Sequence, residues 1–376
     1  MQSKKHDGKE FNIKIKFPAV KTIVILMSFI FISGCLFFES VIRKGFEEND
    51  LMYPLPYYME MERKPEPNSI FSPPLLYNLS WQFSKLYPGY KGAIRMVLEN
   101  RGRGDIFVYG FSIKIDDEEQ KKEFEYGKKV ERGEKEIFVF SFDCPPPGEY
   151  EYRIGLYVMN GAGNKWYDYG LRYISKTGNI EVKEYMKGDY NFHRNYYTYF
   201  DKINEMVDPD EEIIREKAFE IASRYGKNYN IAQVCGIYEW IYDNVEYKND
   251  TDDEWIPPSD AIIVGGDCEE FAMLFSAMVS AIGGTCRIYI TDNHAFSTVY
   301  IGKNLELLYS IDSYYGSNLT YAFFEDEFGY WLVADPLASF YLGGLPVGGM
   351  VEGKDNIKYY RWSLMTNELY SIDVLR

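Results

Sequence analysis

Cys268 sits in the run Gly265-Gly266-Asp267-Cys268-Glu269-Glu270, directly before the apolar stretch Phe271 to Ile282. The spacing predicts that this thiol occupies the first turn of a helix. Unpaired backbone N–H groups and the positive dipole end found there favour a thiolate, which is a nucleophile. A thiol acyl-transfer site needs two further parts: an imidazole in reach, and a group that fixes the imidazole's tautomer. The chain has three His. His6 lies in the basic N-terminal stretch and His193 in a Tyr-rich connection without patterned context. His294 follows the predicted strand Cys286 to Ile290 and opens the next one, after Thr291-Asp292-Asn293. A strand start at a sheet edge can aim an imidazole at a neighbouring helix terminus.

The elements that must position these groups read as α+β. From Glu211 the pattern is helical, with Ile213, Ile214, Ala218, Ile221 and Ala222 on one face. Ile231 to Val245 is a second helix, and Pro257-Pro258-Ser259-Asp260 breaks the pattern before the Cys268 helix. Gly283-Gly284 ends that helix as C-cap glycines do. Strands follow at Cys286 to Ile290, at Ala295 to Ile301 and up to Asp335. Helices followed by strands argue against alternating βαβ units. Residues 70–182 read instead as short strands. Gly92 to Glu99, Ile106 to Ile115, Glu136 to Phe142 and Glu149 to Tyr157 partly alternate, and turn signals such as Asn100-Arg101-Gly102 and Pro145-Pro146-Pro147-Gly148 separate them. This predicts an all-β sandwich. Its strand and turn order resembles immunoglobulin-like adhesion and spacer domains, a resemblance that implies either partner binding or simple spacing. The expected organisation is a multi-domain chain: an N-terminal apolar helix in 1–38, a linker over 39–69, the sandwich over 70–182, a connection over 183–204 and the α+β domain over 205–376.

The motif set from Gly266 onward is ordered. Gly266-Asp267-Cys268-x-x-Phe271-Ala272-x-Leu274 is followed by Gly283-Gly284, a strand with Arg287, Asn293-His294-Ala295-Phe296, and Tyr330-Trp331-x-x-x-Asp335-Pro336. Together with Trp240-Ile241-Tyr242-Asp243-Asn244-Val245-x-Tyr247, it resembles the transglutaminase-like superfamily over roughly residues 205–345. The resemblance implies a papain-like α+β fold, with Cys268 as nucleophile, His294 as general base and acid, and Asp335 as orienting carboxylate. The stretch between His294 and Asp335 is longer than the family pattern. It contains Asp312 as an alternative third member, and 303–329 would be an insertion, read as a lid with a Tyr-rich face. No oxyanion donor is identifiable from the motifs; the Cys268 backbone N–H is one natural contributor, and Trp255 is a side-chain candidate. The implied activity is acyl transfer on protein or peptide amides, by hydrolysis or transamidation. The alternative is an idle transglutaminase-like fold used for binding or for organising the cell envelope.

Lys4, Lys5, Lys9, Lys14, Lys16 and Lys21 precede an uncharged apolar run from Thr22 to Phe38. That is the pattern of a targeting signal, and the positive flank directs the rest of the chain outside the cytoplasm. Ile32-Ser33-Gly34-Cys35 resembles the lipobox of prokaryotic lipoproteins, which implies a lipid on Cys35; an uncleaved signal anchor and simple secretion are the other readings. All but the last tether the chain to a membrane. Residues 1–38 carry six Lys and two acids, leaving 35 basic and 55 acidic residues for the remainder. Such a surface repels phosphate backbones, so nucleic acid is not an expected partner. Cys144, Cys235, Cys268 and Cys286 match neither a zinc pattern nor a dense disulfide framework, and no metal or cofactor is expected.

Overall fold

The turn-separated runs after residue 70 become two facing sheets. A computed structural model of the chain describes residues 45–174, 176–249 and 254–375. The expected apolar helix and Cys35 lie outside the described residues, among which no helix is long and apolar enough to cross a membrane. The N-terminal strands are β1 (Glu62–Arg63), β2 (Tyr77–Phe83), β3 (Lys91–Asn100), β4 (Ile106–Ile115), β5 (Glu118–Val130), β6 (Lys135–Asp143), β7 (Gly148–Ala162), β8 (Lys165–Tyr173) and β9 (Gly178–Val182). One sheet has the order β2-β3-β6; the other runs β1-β5-β4-β7-β8, with β9 also on β7. Inward residues of the two sheets, among them Ile94, Met96, Phe111, Ile113 and Phe140, share one core. The Phe111 and Phe140 rings stack across it at 4.9 Å.

The C-terminal part begins with β10 (Asn191–Arg194). It continues through α1 (Tyr197–Met206), α2 (Glu212–Ala222), α3 (Ile231–Asn244), α4 (Pro258–Val264) and α5 (Cys268–Ala281). Then come β11 (Cys286–Ile290), β12 (Ala295–Tyr300), α6 (Leu307–Tyr315), β13 (Phe323–Asp326), β14 (Gly329–Ala334), β15 (Gly349–Lys354), β16 (Tyr360–Leu364) and β17 (Glu368–Asp373). The main sheet has the order β10-β17-β11-β12-β14-β13, antiparallel except for β10 with β17, and β15–β16 forms a separate hairpin.

Helix α5 is central. Every residue from Glu270 to Ser280 is buried, as a helix that is apolar all round must be. Small residues let it approach the sheet: Ser297 Oγ on β12 donates to the Ala272 carbonyl at 2.6 Å and lies 2.9 Å from Ser276 Oγ. The main sheet is buried on both faces, following the strand period of two. Cys286, Ile288, Ala295, Val299 and Leu332 join the helices in one core. Tyr289, Phe296 and Val333 face the other way and join hairpin β15–β16 and the sandwich interior in the second core.

Three sequence expectations change here. The described part of the 39–69 linker is not a free spacer but a strap along the C-terminal part and then the sandwich. Phe46 N–H donates to Asp373 Oδ2 at 2.9 Å, Leu55 exchanges backbone hydrogen bonds with Tyr229 and Ile231 at 3.0 Å each, and β1 pairs with β5. The 183–204 connection contributes β10 to the main sheet and starts α1, so the sheet begins before residue 205. The 303–329 insertion is no lid built on a Tyr face. Leu307, Leu308, Ile311 and Tyr315 of α6 lie in the helical core, and β13 extends the sheet.

Candidate active site

The turn before Cys268 is fixed by backbone geometry. Gly265 has φ +83°, and a Cβ there would meet the Glu246 carbonyl oxygen at 2.2 Å, so only glycine fits. Gly266 then bridges to Glu246–Lys248: its N–H reaches the Glu246 carbonyl at 3.2 Å and its carbonyl accepts from Lys248 N–H at 2.8 Å. Asp267 is the N-cap and accepts from Glu269 N–H at 3.3 Å. Glu270 returns to Asp267 N–H at 3.0 Å and also accepts from Ile256 N–H at 3.1 Å, which completes a capping box. Cys268 is therefore the first residue of α5, as its spacing predicts.

His294 closes the β11–β12 turn, where its carbonyl accepts from Thr291 N–H at 2.8 Å. The turn is held from outside by Asp292, whose carboxylate accepts from the Asn367 and Glu368 N–H groups at 2.8 and 3.2 Å. Asp335 follows the last residue of β14, beside β12. Its Oδ2 lies 2.8 Å from His294 Nε2, and both side chains are buried. The same oxygen accepts from Val347 N–H at 2.8 Å, and Oδ1 accepts from Leu337 N–H at 3.1 Å. With Nε2 donating to Asp335, Nδ1 is the nitrogen left to take a proton. The Cys268 sulfur lies at the backbone N–H of Ala295, the residue after His294. Cys268, His294 and Asp335 thus converge from α5, the β11–β12 turn and the end of β14.

The thiol's electrostatics depart from the sequence expectation. Cys268 Sγ donates to Glu269 Oε2 at 2.9 Å. Burial and the Glu269 carboxylate, with Asp267 beside it, push the Cys268 thiol well above its ordinary range. The helix terminus alone would favour the thiolate, but desolvation and the flanking carboxylates outweigh it, so the resting group is a thiol. Glu269 is itself raised to about 7, first by burial and then by its contact with Asp267. Asp267, Cys268 and Glu269 bring ligand-type atoms within 4.8 Å of one another. They are consecutive residues of one cap, and their hydrogen bonds to each other account for the grouping.

Asp312 and His193 have other partners. Asp312 sits on α6, not on a strand. It pairs with Lys358 and accepts from Tyr321 O–H at 2.8 Å and Leu319 N–H at 2.9 Å, so it takes no part in orienting His294. His193 is on β10, 2.6 Å from Glu368 Oε2 and stacked on Tyr370. The Trp255 ring stacks on Tyr199 with the Lys202 ammonium 3.6 Å above it. Cys144, Cys235 and Cys286 are buried. Sequence reasoning missed Tyr238, whose hydroxyl donates to the Asp335 and Ser339 carbonyls at 2.8 and 2.7 Å and ties the Asp335 loop to α3. Its signal was a polar tip on the wholly buried face of a predicted helix.

The fold and site together define a class: an α+β domain with a cysteine at a buried helix start and a histidine–carboxylate pair on the adjoining sheet. Residues 216–336 match the model of the transglutaminase-like superfamily, and this part of the chain is a transglutaminase-like domain. No curated protein matches the chain. Among solved structures, the CARDB domain of a Pyrococcus furiosus protein, crystallised with two metal ions, is 9% identical. It covers 31% of this chain and 99% of its own, with a TM-score of 0.21. The ApaA protein of Bordetella pertussis is 13% identical and covers 28% of this chain and 94% of its own, with a TM-score of 0.21. A PapD-like domain of human CEP192 is 11% identical and covers 35% of this chain and 100% of its own, with a TM-score of 0.19.

Proposed function

We propose that this chain is a membrane-tethered, extracytoplasmic cysteine acyl-transfer enzyme acting on protein or peptide amides. The observation that carries the reading is the buried His294–Asp335 pair, 2.8 Å apart, at the start of the Cys268 helix. Cys268 gives its proton to His294 Nδ1, and the thiolate adds to the carbonyl carbon of a carboxamide or peptide bond. The oxyanion faces the Cys268 backbone N–H, one of the unpaired donors of the helix start. The intermediate collapses as the imidazolium passes its proton to the leaving nitrogen. Ammonia or an amine departs, and a thioester remains on Cys268. Water, activated by His294, then hydrolyses it; a lysine amine would instead form a crosslink. Asp335 holds the imidazole in the tautomer that both steps need.

The test is alkylation of the purified ectodomain by iodoacetamide across pH, with the labelled cysteine mapped. Near pH 6 Glu269 is largely protonated and no longer opposes the thiolate, so with His294 taking its proton Cys268 is expected to react faster there than an ordinary thiol, and His294→Ala to abolish the excess. If Cys268 reacts like a free thiol and His294→Ala changes nothing, the site is idle. That idle reading draws its support from the resting bond between Cys268 and Glu269. In sequence, the stretch read as an immunoglobulin-like sandwich lies between the tether and the catalytic part. The tether rests on the basic flank, the apolar run and the Cys35 motif. Mass spectrometry of the native N-terminus tests it: a lipid-modified Cys35 is the expected product, and an intact Met1 removes the lipoprotein reading.

A further inference from the structure

Lys85 lies between β2 and β3, in the sandwich, yet its ammonium donates to the carbonyl of Pro346, 261 residues away in sequence. The next backbone N–H, that of Val347, donates to Asp335 Oδ2 at 2.8 Å. That oxygen is the one bonded to His294 Nε2. A continuous path therefore runs from the sandwich lysine through the Pro346–Val347 turn to the histidine–carboxylate pair. A partly buried ammonium is costly unless something holds it. Among the described residues no carboxylate forms a direct ion pair with Lys85, so the Pro346 carbonyl and the nearby Asp335 charge are what it faces. The charged neighbours agree: burial lowers the Lys85 pKa to about 8, the Asp335 carboxylate opposes that, and Lys183 adds to it. On the other side, Asp335 faces His294, and the Tyr238 hydroxyl holds its backbone carbonyl.

We propose that the β-sandwich completes the acyl-transfer site by supplying Lys85 as a positioning residue. It clamps the Pro346–Val347 turn onto Asp335 and sets a positive charge near that carboxylate where it faces His294. The sandwich is then part of the active site and not a spacer. The inference rests on the acyl-transfer reading above.

Removing this cation disfavours every nearby negative charge, and releasing the turn loosens Asp335 from the imidazole. Both effects make the thiolate–imidazolium pair harder to form. The experiment is the pH profile of Cys268 alkylation, with steady-state amide hydrolysis beside it, on the whole ectodomain. Lys85→Met is expected to move the acid-side alkylation midpoint up by roughly half a pH unit. It is also expected to lower kcat about tenfold while leaving KM unchanged. Lys85→Gln, which keeps a hydrogen-bond donor without the charge, should still move the midpoint and lose less of kcat. Lys85→Arg should restore both. Near-native melting temperatures of the Gln and Arg variants separate these effects from misfolding. A His294-dependent profile in the parent protein that neither Lys85→Met nor Lys85→Gln displaces overturns the role of Lys85 while leaving the catalytic reading intact. A parent protein without any such profile overturns both.

Discussion

The Cys268 proton is held by the Glu269 carboxylate, 2.9 Å from the sulfur; on the acyl-transfer reading proposed above, the His294 imidazole must take it instead. The competition depends on pH. Glu269 titrates near 7, raised mainly by burial. Below that pH it is largely protonated, and its charge no longer opposes a thiolate. Above it, the carboxylate both accepts from the thiol and repels the thiolate. Glu269→Gln removes the charge at every pH, so it should lower the alkylation midpoint of Cys268 and speed alkylation at pH 8 by about tenfold. It should have little effect at pH 5, where Glu269 is already neutral. Equal acceleration at both pH values would mean that the Glu269 charge does not restrain the thiol. This restraint was not legible in the sequence. Cys268, His294 and Asp335 could be read from their residue types and ordered flanks. Whether a thiol beside Asp267 and Glu269 rests as thiol or thiolate depends on burial and rotamer, which a string of residues does not carry.

At the level of elements, the sequence was most informative where a period persisted. The apolar run before Gly283-Gly284 became α5, with its cap at Asp267, and the alternation after Cys286 became β11 and β12. It was least informative where long-range packing decides. The Tyr-rich stretch before Asp335 looked like an exposed face. Yet Leu307, Leu308 and Ile311 bury α6 against the helical core, while Tyr309 points outward. Asp312 looked like a strand-borne carboxylate because nothing local revealed that Lys358 would meet it. Helix α3 shows the same limit. Its outer face carries Glu239 and Asp243 at i and i+4, a spacing that reads as a solvated stripe. In the fold, Arg95 of β3 reaches Asp243 at 2.6 Å, and Tyr314 O–H donates to Glu239 at 2.8 Å. Burial raises the Glu239 carboxyl to about 7. That face of the helix is thus covered by the sandwich at Asp243 and by α6 at Glu239, through charges that no periodicity assigns to an interior.

The whole molecule follows from that interface. The sequence reads as a sandwich, then a connection, then an α+β domain. The second core instead runs from Ile94, Phe111 and Phe142 inside the sandwich, through Tyr360 and Leu364 of hairpin β15–β16, to Tyr289, Phe296 and Val333 on the outer face of the main sheet. Tyr90 of the sandwich stacks edge-on with Tyr360 at 4.7 Å, and its hydroxyl lies 3.0 Å from that of Tyr341. With helices on one side and this shared core on the other, the central strands β11 and β12 of the main sheet are buried on both faces. Cutting between residues 182 and 183 should therefore expose apolar surface that a folded monomer cannot tolerate. A fragment spanning 183–375 is expected to aggregate or to bind a hydrophobic dye with weak near-ultraviolet dichroism, as loosely packed states do. The parent ectodomain should unfold by calorimetry in one transition, because neither part retains a complete core without the other. A soluble 183–375 fragment with native dichroism and His294-dependent alkylation of Cys268 would show that the two parts are independent. The Lys85 clamp would then be dispensable as well, since the same cut removes it.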